Sequence, residues 1–193
     1  MPTARSGLAV GVVNGRLYAI GGFNGGSVLG AVEAYDPSAN AWTRKAAMPT
    51  PRANLAVAVA NGILYAMGGT MSIDSINGLT VVEAYDPAAN RWHRAASLPK
   101  GLDGPSAGVI DGMIYIAGGF YVSGGGGWCT GCTSTLPFVY AFIPSANTWW
   151  AMTSMPTPRA ALGGGVVGGK FYTIGGSAGQ TGFQYDRTEA FTP

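Results

Sequence analysis

The sequence predicts an all-β protein made of four successive units, each of four antiparallel strands, and three observations carry that reading. A Tyr-x-x-Gly-Gly phrase returns four times, with Gly pairs at Gly21-Gly22, Gly68-Gly69, Gly118-Gly119 and Gly175-Gly176, at intervals of 47, 50 and 57 residues. After each pair comes a variable loop and then "VEAYDP" (32–37), "VEAYDP" (82–87), "YAFIP" (140–144) or "TEAFTP" (188–193). Finally, 32 Gly and 12 Pro are interleaved with Val, Ala, Tyr and Trp, a composition that suits short strands joined by tight turns.

Each strand can be placed in order. "GLAVGVV", "NLAVAVA", "SAGVI" and "LGGGVV" are small and apolar on both faces, as a strand at a crowded centre must be, and they are assigned innermost. Asn-Gly, Asp-Gly or Gly-Gly follows, a pair that tolerates positive φ and so turns the chain into "RLYAIGG", "ILYAMGG", "MIYIAGG" and "KFYTIGG". The aromatic-Asp-Pro run forms a third strand, ended by its proline. The fourth carries Asn-x-Trp, ending at Trp42, Trp92 and Trp149, and the fourth unit has no such phrase. The units span about 1–47, 48–97, 98–154 and 155–193 and form a single domain.

Four-stranded units at this period are expected to pack face to face as the blades of a β-propeller. The order Arg, small apolar strand, Tyr-x-x-Gly-Gly, Tyr-Asp-Pro and Asn-x-Trp resembles the Kelch repeat along essentially the whole chain. The resemblance implies a Kelch-type β-propeller with an incomplete last blade. Such propellers usually close with more units, so an open arc is expected. "MPTAR" at Met1 parallels "MPTPR" at Met155, so Met1 reads as an ordinary position within a repeat. The arc is then part of a larger ring, completed either by a longer reading frame, the preferred reading, or by a second copy in a homodimer.

Structural roles come before functional ones. Trp42, Trp92 and Trp149 are expected to fill the gaps between blades. Arg5, Arg52 and Arg159 each stand 17 residues before the second Gly of their pair, and Glu33, Glu83 and Glu189 stand on the third strand; unit three has Leu102 and Tyr140 at these two places. Arg and Glu occur together or not at all, which predicts a buried ion pair inside each of three blades, because one unpaired buried charge costs more than losing both.

The resemblance implies that ligands meet the segments after the Gly pairs and after the Arg positions. On this chain those are Phe23 and Asn24, Thr70 and Met71, Phe120 and Tyr121, Ser177, and Ser6, Asn54, Asp103 and Ala160. The set is aromatic and amide-rich, suited to a protein or carbohydrate partner; the competing reading is that these are turn residues. The long loop of unit three, with Trp128, is the first choice for a binding loop. Its Cys129 and Cys132 have the Cys-x-x-Cys spacing, but no βαβ frame surrounds them and His93, the sole His, lies in another unit. A short-loop disulfide, which would point to an oxidising compartment, is preferred over two free thiols.

A net charge of +2 without a basic run excludes an electrostatic footprint for nucleic acid, and no stretch approaches the roughly 20 apolar residues that span a bilayer. No cofactor or metal is expected. One His cannot build the copper site of galactose-oxidase-like propellers. Glycoside hydrolysis would fall to Asp74 and Asp103, the acidic residues left in loops. The expected function is a noncatalytic binding scaffold; the alternative is a carbohydrate-active enzyme of the sialate-epimerase type, or a fragment of one.

Overall fold

The structure is a computed structural model and describes residues 1–72, 78–122, 133–178 and 183–193. Blade 1 orders β1 (Ala9–Val13), β2 (Arg16–Ile20), β5 (Val32–Asp36) and β6 (Ala41–Arg44), and a small hairpin, β3 (Phe23–Asn24) with β4 (Ser27–Val28), rises from its Gly pair. Blade 2 comprises β7 (Ala56–Ala60), β8 (Ile63–Met67), β9 (Val82–Asp86) and β10 (Arg91–Arg94). In blade 3, β11 (Ser106–Ile110), β12 (Met113–Ala117), β15 (Val139–Ile143) and β16 (Thr148–Ala151) follow the same order, and β13 (Phe120–Val122) pairs with β14 (Thr133–Thr135). Blade 4 has three strands, β17 (Gly163–Val167), β18 (Lys170–Ile174) and β19 (Thr188–Phe191). The two extra hairpins were not legible in the sequence.

Every first hairpin turns through two residues of positive φ, from Asn14-Gly15 (49° and 73°) to Gly168-Gly169 (57° and 72°). That is the geometry whose twist matches the flanking strands. Because side chains alternate along each strand, one face of a blade packs on its predecessor and the other on its successor. Three apolar clusters result, one per seam, centred on Ile20 and Tyr85, on Met67 and Phe142, and on Tyr115 and Phe171. Inner strands touch in the sequence β1, β7, β11, β17, and no contact of similar extent joins β17 to β1 among the described residues. The arc is open, and its end faces expose Val10 (55%) and Val167 (70%).

Two devices set the seams. The first Gly of the first three pairs lies against the entry segment of the next blade, so that a Cβ on Gly68 would stand 2.6 Å from the Leu102 carbonyl oxygen and one on Gly118 2.5 Å from that of Arg159. The second Gly donates its N–H across the seam, Gly22 to the Arg52 carbonyl (3.0 Å), Gly69 to Leu102 (2.8 Å) and Gly119 to Arg159 (3.0 Å). At the outer edge, Trp92 Nε1 donates to the Ala46 carbonyl (2.9 Å) while the Ala46 N–H donates to Asn90 Oδ1 (2.9 Å). Trp149 and Asn147 hold Ala96 in the same way, at 2.8 and 2.7 Å. Asn-x-Trp is therefore a two-point clamp on the preceding blade, as well as a ring packed on Tyr85 or Phe142. Trp42 sits on the uncovered face of blade 1 and packs on Tyr35.

Within blades, Arg5 meets Glu33 at 2.7 Å, Arg52 meets Glu83 at 2.5 Å and Arg159 meets Glu189 at 2.9 Å. Thr3 and Thr50 donate their hydroxyls to the same carboxylates, at 2.7 and 2.8 Å. Burial works against the Glu33 carboxylate, but the hydrogen bonds from Thr3 and Arg5 and the charge of Arg5 hold it below its ordinary value. In unit three, Leu102 and Tyr140 are buried where the ion pair would be. Lys100 replaces the threonine there, with its ammonium 3.9 Å from the centre of the Tyr121 ring.

Arg52→Leu strands Glu83 in the blade interior and is expected to lower unfolding free energy by about 3–5 kcal/mol in chemical denaturation. The double variant Arg52→Leu/Glu83→Tyr copies unit three and is expected to recover much of that loss; a double variant no better than the single one would contradict the account.

Candidate functional site at the channel mouth

The site forms where the inner strands begin. Each entry segment lies beside the segment leaving a Gly pair, with reciprocal backbone hydrogen bonds between Ser6 and Phe23, Ala53 and Thr70, Asp103 and Phe120, and Ala160 and Ser177. Ala53, rather than the sequence-assigned Asn54, is thus the equivalent of Ser6, Asp103 and Ala160. Asn54 belongs to a second series, Gly7, Asn54, Gly104 and Ala161, all in the left-handed region at φ 60°, 54°, 66° and 52°.

That conformation turns successive peptides to face one another. Asn54 donates its N–H to the Gly7 carbonyl (2.8 Å), Gly104 to Asn54 (2.9 Å) and Ala161 to Gly104 (2.9 Å). A chain of single hydrogen bonds therefore runs from blade to blade around the mouth. Sequence reasoning missed this belt. Gly, Asn and Gly two residues after the Arg register are residues that accept positive φ, but Ala161 breaks the signal.

Inside the belt lies a cavity of about 260 Å³, lined by its four members, by Leu8, Leu55, Pro105 and Leu162, and by Asp103 and Phe120. Of the sequence candidates it gathers Asn54, Asp103 and Phe120. Phe23 and Asn24 sit on β3 outside this lining, Met71 projects into solvent (57% exposed), and Tyr121 packs beneath Lys100. Asp74, Trp128, Cys129 and Cys132 lie outside the described residues. A larger cavity, about 310 Å³, lies far from the mouth, between β19 and the segment leaving β16, and is lined by Thr153, Phe171 and Phe191. Its lining shares no residue with that of the mouth cavity.

Asp103 is the one charged residue lining the mouth cavity among those described. It is 2% exposed, and its Oδ1 has no hydrogen-bond partner. Burial raises its carboxyl from 3.8 to about 6, against the opposing pull of a hydrogen bond from the Asn54 side chain. The other three units place Ser6, Ala53 and Ala160 at this position, so the scaffold itself does not call for a carboxyl.

Two outcomes follow. Ala161→Gly removes a Cβ from a left-handed residue and is expected to raise stability by about 0.5–1 kcal/mol in denaturant melts; a loss would contradict the strain. For Asp103, the folded state holds the proton between pH 3.8 and about 6 while the unfolded chain has released it, so this contribution favours folding in acid and is lost as pH rises through 6. Asp103→Asn is therefore expected to exceed the parent in stability at neutral pH by about 1–3 kcal/mol, with the difference vanishing near pH 4. Equal pH dependence in the two proteins would contradict a buried, unpaired carboxyl.

Comparison with known proteins agrees with this geometry. The Kelch motif matches residues 4–49 and 51–99. The whole chain superposes on the solved structure of YjhT with a TM-score of 0.79 at 21% identity and spans 67% of that protein's chain, a likeness of fold. Comparison with curated proteins finds no match. Among the described residues no helix is long and apolar enough to cross a membrane. Two matched motifs, two further copies in the same internal order and four sheets packed as blades identify the fold of this chain as a Kelch-type β-propeller.

Proposed function

We propose that the chain is a noncatalytic binding scaffold that receives a protein or carbohydrate partner at its channel mouth. The observation that carries this is the mouth cavity, to which all four blades contribute equivalent entry segments. Its walls combine backbone amides, one aromatic ring, aliphatic side chains and a single carboxyl. Such walls suit recognition by shape and hydrogen bonding. A carbohydrate-active enzyme of the sialate-epimerase type would need Arg, Glu and His to converge on the channel. Arg52 and Glu83 are instead spent on each other inside a blade, and His93 lies exposed on β10.

The test is nuclear magnetic resonance of the labelled chain during titration with monosaccharides, oligosaccharides and peptides, with each sugar followed for chemical change. Binding is expected to shift the amides of Asn54, Gly104 and Phe120 without converting the sugar. Phe120→Ala is expected to weaken affinity about tenfold, the scale of one aromatic contact. Turnover of a sugar, or shifts confined to another face, would contradict the proposal.

A further inference from the structure

Asp103 is a buried carboxylate without a counter-charge. The residue is 2% exposed at the wall of the mouth cavity, and its Oδ1 is buried without a hydrogen-bond partner. The nearby base cannot supply the missing charge, because Lys100 is held over the rings of Tyr121 and Phe138, and Arg5, Arg52 and Arg159 are paired inside their blades. A buried acceptor of this kind is costly unless something bearing N–H donors and positive charge completes it. Since small residues serve at the equivalent positions, the fold does not require the carboxyl, and a ligand role accounts for it.

The geometry also selects among cations. A guanidinium binds a carboxylate through two parallel hydrogen bonds and needs both oxygens on an open edge, whereas Oδ1 of Asp103 is closed off from solvent. An ammonium is a compact point charge that a single oxygen, here the other one, can hold. The cavity, about 260 Å³, is below the usual range for drug-sized ligands and offers Phe120 and Leu55 to an apolar ring face beside the polar belt.

We propose that the mouth cavity binds an amino sugar, whose primary ammonium group pairs with the Asp103 carboxylate. This rests on the binding reading above and names its ligand. The experiment is calorimetry and carbon-detected resonance of the full chain at pH 7 with glucosamine, glucose, N-acetylglucosamine and Nα-acetyl-lysinamide. Glucosamine is expected to bind at least about tenfold more tightly than the two neutral sugars, in line with a charge-assisted contact. It is also expected to lower the titration midpoint of the Asp103 carboxyl in the parent protein, a readout that needs no substitution. Asp103→Asn should erase the preference of glucosamine over the two neutral sugars. Neutral sugars binding as tightly as glucosamine, or a preference that survives Asp103→Asn, would overturn the ammonium assignment while the broader binding role stands. Tighter binding of the lysinamide would overturn the sugar assignment. Silence of the mouth amides toward every probe, peptides included, would overturn both readings.

Discussion

The close approach of the first three Gly pairs to the entry segment of the next blade is the contact from which the rest of the molecule follows. At Gly68 and Gly118 there is no room for a Cβ between one sheet's exit and the neighbouring carbonyl, and the adjacent N–H of Gly69 or Gly119 donates to that same carbonyl. One backbone feature thus supplies both steric permission and a directional bond. The angle between blades is set near the axis, and the apolar faces then pack at whatever distance the small inner strands allow. At Gly108, for example, a Cβ would stand 2.7 Å from Val166 and 2.8 Å from Phe171 of the next blade. The outer clamp made by Asn90 and Trp92 fixes the same seam at its far end, so each pair of sheets is held at two radii.

From this seam the mouth inherits its form. The carbonyl that receives the Gly N–H belongs to the Arg register, and the two residues after it turn through the belt and begin the inner strand. Positioning of the binding elements is therefore done by scaffold contacts common to all units, while the side chain just after the Arg register is free to vary. Unit three uses that freedom. It replaces the buried ion pair with Leu102 and Tyr140, an apolar solution of comparable fit, and places a carboxyl at Asp103 where its siblings have Ser or Ala. The desolvation that destabilises this carboxyl is the same property that would strengthen its attraction for a cation. Stability and recognition are opposed at this one residue.

Much of the architecture was legible because it is written in residue types with narrow physical uses. Asn14-Gly15 and Asp111-Gly112 fix hairpins, the Gly pairs mark the seams, and the joint appearance of Arg and Glu in three units points to a partnership that Leu102 and Tyr140 replace in unit three. The hairpins β3–β4 and β13–β14 escaped notice because their short, variable sequences lack alternation. The register of the mouth was misread by one residue in unit two, where Asn54 was matched to Asp103. Periodic spacing locates a loop but does not say which residue takes the left-handed turn, and Ala161, a poor fit to that turn, hid the common pattern. Nor could Trp92 and Trp149 be recognised as hydrogen-bonding clamps from sequence, since their partners, Ala46 and Ala96, are apolar residues used only through their backbones.

The most direct measurement of the seam is amide hydrogen exchange at the four equivalent glycines. Gly22, Gly69 and Gly119 donate across a seam, whereas Gly176 has no following blade among the described residues. The account predicts that the first three exchange as slowly as the inner-strand amides of their own sheets, and Gly176 much faster. Four glycines exchanging alike would contradict the claim that these contacts hold the blades in place.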